Sequence, residues 1–89
     1  MQTWELTVHG RVQGVGFRWH VLRCAERHNI KGYVRNQFDS TVLIIAQAAA
    51  EDYENFIHSV ENDFSRANIR RIDAVKIDHA KSYNDFTIR

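Results

Sequence analysis

The run His9-Gly10-Arg11-Val12-Gln13-Gly14-Val15-Gly16-Phe17-Arg18 holds three of the four glycines in the chain and divides two segments of different period. Before it, Trp4-Glu5-Leu6-Thr7-Val8-His9 alternates apolar and polar residues, the pattern of a half-buried strand. After it, Phe17, Val21, Cys24, Ala25 and His28 share a stripe about 100° wide at helical spacing, so a helix is expected from Phe17 to about Asn29. A short glycine loop between a strand and a helix lets backbone N–H groups converge, because glycine accepts the positive φ of a concave nest. The first helical turn adds N–H groups with no partner. Arg18 falls in that turn, where its guanidinium fork suits a bidentate oxyanion such as phosphate. From residue types alone the loop is either an anion cradle or a glycine turn beside a surface arginine. It is not a Walker A loop, for no Gly-x-x-x-x-Gly-Lys-Ser/Thr run exists. Nor is it a dinucleotide fingerprint, because Trp19 stands where the third glycine belongs.

Outward from the loop, Asn29 or Gly32 is placed to take a left-handed helix cap. Tyr33-Val34-Arg35-Asn36 and the β-branched run Thr41-Val42-Leu43-Ile44-Ile45-Ala46 form a hairpin around a turn at Gln37-Phe38-Asp39-Ser40. Its second strand is apolar on both faces and is expected at the centre of a sheet. From Ala49, the residues Tyr53, Phe56, Ile57, Val60 and Phe64 extend a second helical stripe, with Glu51 and Asp52 in the first turn where the helix dipole favours acids. Ile69 to Ile77 is strand-like but changes phase between Ile72 and Val75, which predicts a bulge or a late start near Ala74. Phe86-Thr87-Ile88-Arg89 reads as a short closing strand. This order, with Phe86 to Arg89 as a small extra strand at the end, predicts an α+β, ferredoxin-like split βαβ sandwich, βαββαβ, with two helices on one face of an antiparallel sheet.

With 89 residues, the chain is expected to form one domain over 1–89 with a radius of gyration of roughly 12 Å. The 12 basic and 11 acidic residues leave a net charge of +1, which gives no overall field for nucleic acid or membrane, while a small anion needs only a local one. The single cysteine, Cys24, excludes an internal disulfide and points to a reducing compartment; with no spanning or signal segment, a cytoplasmic protein is expected. Cys24 lies in the apolar stripe and reads as a buried small hydrophobe. His20 and Cys24 sit one helical turn apart, but a zinc site needs three or four ligands, so no metal site is assigned. A non-catalytic binding sheet for RNA or a protein partner is the rival reading, since RNA-recognition domains share this topology and Lys31-Gly32-Tyr33 begins like their strand motif. That match ends at Val34 and Arg35.

Gly10-Arg11-Val12-Gln13-Gly14-Val15-Gly16-Phe17-Arg18, followed by Gly32-Tyr33-Val34-Arg35-Asn36, resembles the acylphosphatase pattern Gly-x-Val-Gln-Gly-Val-x-Phe-Arg and Gly-Trp/Tyr-Val-x-Asn. The resemblance spans most of the chain. It implies hydrolysis of acyl phosphates to carboxylate and inorganic phosphate, and the loop, Arg18 and Asn36 acting together lead to the expectation of a monomer with no cofactor. It also implies that Arg18 binds the phosphoryl group together with the backbone amides of Gln13, Gly14, Val15, Gly16, Phe17 and Arg18, and that Asn36 holds the attacking water. The chain departs from the family at Asp39-Ser40, where Asp-Gly is usual, at Gln47-Ala48 for Glu-Gly, and in having no proline for the Gly-Pro before the fourth strand. A related domain occurs in hydrogenase-maturation proteins, whose accompanying domains this chain is too short to hold.

Overall fold

The computed structural model of the protein describes residues 1–89. Its elements are β1 Gln2–Arg11, α1 Phe17–Arg27, β2 Lys31–Asn36, β3 Val42–Ala48, α2 Ala50–Asn62, β4 Asn68–Ile77 and β5 Phe86–Ile88. The strands form one sheet in the order β4-β1-β3-β2-β5. Both helices pack on one face of it in a ferredoxin-like arrangement, and their buried residues, Phe17, Val21, Cys24 and Ala25 from α1 with Tyr53, Phe56 and Val60 from α2, join Leu6, Val8, Val34, Val42, Ile44 and Ala46 in a single apolar cluster. The radius of gyration is 11.8 Å, close to that expected from length. The β-branched run does form the centre, for every residue of β3 is buried. Leu43 and Ile45, on the face away from the helices, are buried outside the main cluster.

Three expectations need correction. The sheet is mixed rather than antiparallel: the chain leaves β4 at one edge and returns at the other, so β5 runs parallel to β2, with Gly32 opposite Phe86. The irregularity in β4 lies at Arg70, not near Ala74, because the register against β1 shifts between His9 and Gly10, which face Arg71 and Ile69. That extra residue brings Ile69 and Ile72 to the same apolar cluster, while Val75 simply faces solvent at 60% exposure. Gly10 and Arg11 belong to β1 at this bulge, so the connecting loop is shorter than the quoted run and spans residues 12–16. Asn29, at φ 64°, takes the left-handed position after α1.

Candidate active site

The loop leaves β1 at Val12, whose side chain is buried, and reaches α1 through two residues in left-handed conformation, Gly14 at φ 74° and Gly16 at φ 83°. Gly16 is the N-cap of α1 and, lacking a side chain, offers no capping oxygen. A Cβ at Gly14 would meet nothing within 4 Å, so this glycine serves backbone conformation and leaves open space above the loop. The N–H groups of Gln13, Gly14, Val15 and Gly16 donate to no backbone carbonyl. Those of Phe17 and Arg18 open the helix and have no carbonyl one turn back within it. The result is a row of free donors at the positive end of a helix dipole.

Arg18 is half-buried in the first turn and makes no salt bridge. Its position runs against the dipole, which disfavours a cation there by about 0.3–1 kcal/mol. In α2 the same turn carries Glu51 and Asp52, as the dipole prefers.

Asn36 ends β2 at the sheet end where the loop lies, since Asn36 pairs with Val42 and Val42 with Val8 across three adjacent strands. Its Oδ1 is the one buried side-chain oxygen or nitrogen without a hydrogen-bond partner. An acceptor left so costs about 1–3 kcal/mol. A depression lined by Arg35, Asn36, Gln37, Phe38 and Asp39 opens beside it.

One link between loop and hairpin was not legible in the sequence. The Gln13 side chain, expected to contribute only its backbone amide, donates through Nε2 to the carbonyls of Gln37, at 2.8 Å, and Thr41, at 2.9 Å. The turn it grips is itself braced. Asp39 Oδ1 accepts from the Thr41 hydroxyl at 2.6 Å and from the Thr41 N–H at 3.1 Å, and Gln37 Nε2 donates to Thr41 Oγ1 at 3.0 Å. The Thr41 hydroxyl thereby holds the Asp39 carboxyl below its ordinary pKa. Ser40 occupies a left-handed position at φ 74°, which accounts for the glycine usual at this point of the acylphosphatase pattern.

His20 and Cys24 are both buried and touch, with the Cys24 sulfur 3.7 Å from His20 Nε2. His20 Nε2 lies 3.2 Å from the Val60 carbonyl and its ring stacks on Phe64 at 4.8 Å. Burial pushes the Cys24 thiol up in pKa, as befits an inert core residue.

The sequence matches the family model for acylphosphatase over residues 4–88. The chain belongs to the acylphosphatase family. It is 41% identical to an acylphosphatase of Leuconostoc mesenteroides, with all of this chain and 99% of that one aligned. The crystal structure of acylphosphatase from Bacillus subtilis superposes with a TM-score of 0.94 at 29% identity, covering 100% of this chain and 99% of that one. HypF of T. kodakarensis matches with a TM-score of 0.89 at 34% identity over the whole of this chain but only 12% of its own. The protein is thus an acylphosphatase-type hydrolase, an enzyme of acyl phosphates in general terms. No helix is long and apolar enough to cross a membrane.

Proposed function

We propose that the loop amides of residues 13–18 and the Arg18 guanidinium bind the phosphoryl group of an acyl phosphate, and that Asn36 positions the water that attacks it. The observation that carries this reading is the orphaned Asn36 Oδ1, a buried acceptor at the same sheet end as a row of free N–H donors. A water donating one O–H to Oδ1 satisfies that acceptor and turns a lone pair toward phosphorus. As the water oxygen bonds to phosphorus, the bond from phosphorus to the acyl oxygen breaks and its electron pair leaves with the carboxylate. The proton lost by the water passes to solvent or to the phosphate formed. In such a loose transition state the charge spreads over the equatorial oxygens, where fixed N–H donors and a planar guanidinium supply most of the stabilisation. A carboxylate is already a good leaving group, so no protein nucleophile is required.

We read residues 1–89 as a single domain acting as a cytoplasmic monomer. The rival reading, a sheet that stacks RNA bases, loses support on the face it would use. The Arg89 guanidinium already covers the Tyr33 ring at 4.1 Å, and Tyr83 packs edge-on against that ring at 6.0 Å. The deciding assay is hydrolysis of benzoyl phosphate with chelator present. Turnover well above the spontaneous rate is expected, and none above background would sink the assignment. A crystal soaked with sulfate should place the anion among the amides of residues 13–18.

A further inference from the structure

In-line displacement puts the leaving group opposite the attacking water. With the water at Asn36, the acyl half of the substrate must lie across the loop, away from the hairpin that Gln13 grips. On that side a groove opens between α1 and the segment after α2, lined by Gly16, Trp19, Arg23, Arg27, Asp63 and Arg66 among others. Gly16 is the loop's last residue, so groove and phosphoryl site share a wall.

The groove is cationic beyond what the fold explains. Trp19, Arg23 and Arg27 follow one another at four-residue spacing on a single face of α1, where like charges repel. Arg27 is the one of the three arginines with an acid partner, Asp63 at 3.5 Å; Arg23 and Arg66 form no salt bridge. Trp19 is 62% exposed in a chain that carries a net charge of only +1. Two unpaired guanidinia beside an open indole make a seat for an organic anion.

We infer that this groove receives the acyl end of the substrate and selects acyl phosphates whose far end carries a second anionic group, a carboxylate or phosphate. The inference rests on the assignment of the water to Asn36, which fixes the direction in which the acyl group leaves.

The test compares succinyl phosphate, which carries a terminal carboxylate, with acetyl phosphate, which lacks it. The wild type should favour succinyl phosphate in kcat/KM by about three- to tenfold at low salt, the range for charge-assisted contacts at partly exposed arginines. The advantage should reside mainly in KM and shrink as salt screens the groove. In Arg23→Ala/Arg66→Ala the ratio should fall to near one while acetyl phosphate turnover is kept. Phe38→Ala, on the water's side, should leave the ratio unchanged. Acetyl phosphate turnover with no preference in the wild type, or an unchanged ratio in the double variant, overturns this inference alone. A wild type inactive on both substrates overturns the catalytic assignment and this inference together.

Discussion

Arg18 is a cation at the positive end of a helix with no acid beside it. Without an anion the residue is a burden, and in the proposed complex it becomes the strongest donor in the loop. Arg18→Ala should therefore raise the stability of the ligand-free protein by about 0.3–1 kcal/mol, through relief of the dipole clash and the better helix propensity of alanine. The same change should abolish the rise in melting temperature that inorganic phosphate gives the wild type, along with nearly all turnover. Equal stabilisation of both proteins by phosphate would mark Arg18 as a surface residue. Asn36 separates the same quantities differently. Asn36→Ala should lower kcat by on the order of 10²-fold, the cost of one positioning donor or acceptor. Denaturant unfolding should show no matching loss of stability, since the change deletes an unsatisfied buried acceptor. A large loss of stability with kcat intact would make Asn36 a structural residue.

At the scale of elements, periodicity revealed what the helix face buries. The stripes of α1 and α2 are the ones that pack, and β3 is central because both its faces are apolar. The loop and Asn36 were legible as a linked pair of motifs. What pattern missed is held by polar side chains acting across the sheet. The phase change in β4 looked like an event near Ala74 because a bulge shifts every later residue, and the sequence does not mark which residue is extra. The course of residues 78–85 carried no periodic signal, because polar contacts from the sheet hold it, the Gly32 N–H donating to the Asp85 carbonyl at 2.9 Å and Gln47 reaching its middle. That side chain is 7% exposed, donates through Nε2 to Thr3 Oγ1 at 2.9 Å and to the Lys81 carbonyl at 3.0 Å, and accepts from the Tyr83 N–H at 3.1 Å. Gln47 stands where the family usually has glutamate, and a carboxylate there could not donate to the Lys81 carbonyl. Gln47→Leu should cost about 1–3 kcal/mol by leaving those partners unpaired. Hydrogen exchange should quicken at Tyr83 while β1 and β3 stay protected. Unchanged exchange across residues 80–88 would show that the segment is held by other contacts.

For the molecule as a whole, one aromatic pair ties the helical layer to the sheet. Trp4 of β1 and Tyr53 of α2 stack with centroids 3.7 Å apart and planes 8° from parallel. Burial, with Glu54 and Glu61 nearby, pushes the Tyr53 phenol from 10 to about 12. A raised pKa in the fold means that the neutral form is the one stabilised. The contribution is complete below pH 10, where the unfolded phenol is also neutral, and is lost as pH rises toward about 12. Denaturant midpoints of the wild type should fall across that window, and Tyr53→Phe should flatten the fall. Parallel decline in both proteins would assign alkaline unfolding to other groups.

The pairing of β1 also governs how the chain finds its shape. Thr3 lies opposite Ile77, so β4 reaches its neighbour only after nearly the whole chain has closed into a loop. Closure over such separations must precede the contacts that reward it, which sets refolding on the order of milliseconds to seconds. With no proline in the sequence, the phase of tens of seconds that prolyl isomerisation adds to refolding has no source here. Stopped-flow refolding should therefore lack that slow amplitude. The strand that leads into the glycine loop is also the one whose last partner sets the pace of folding.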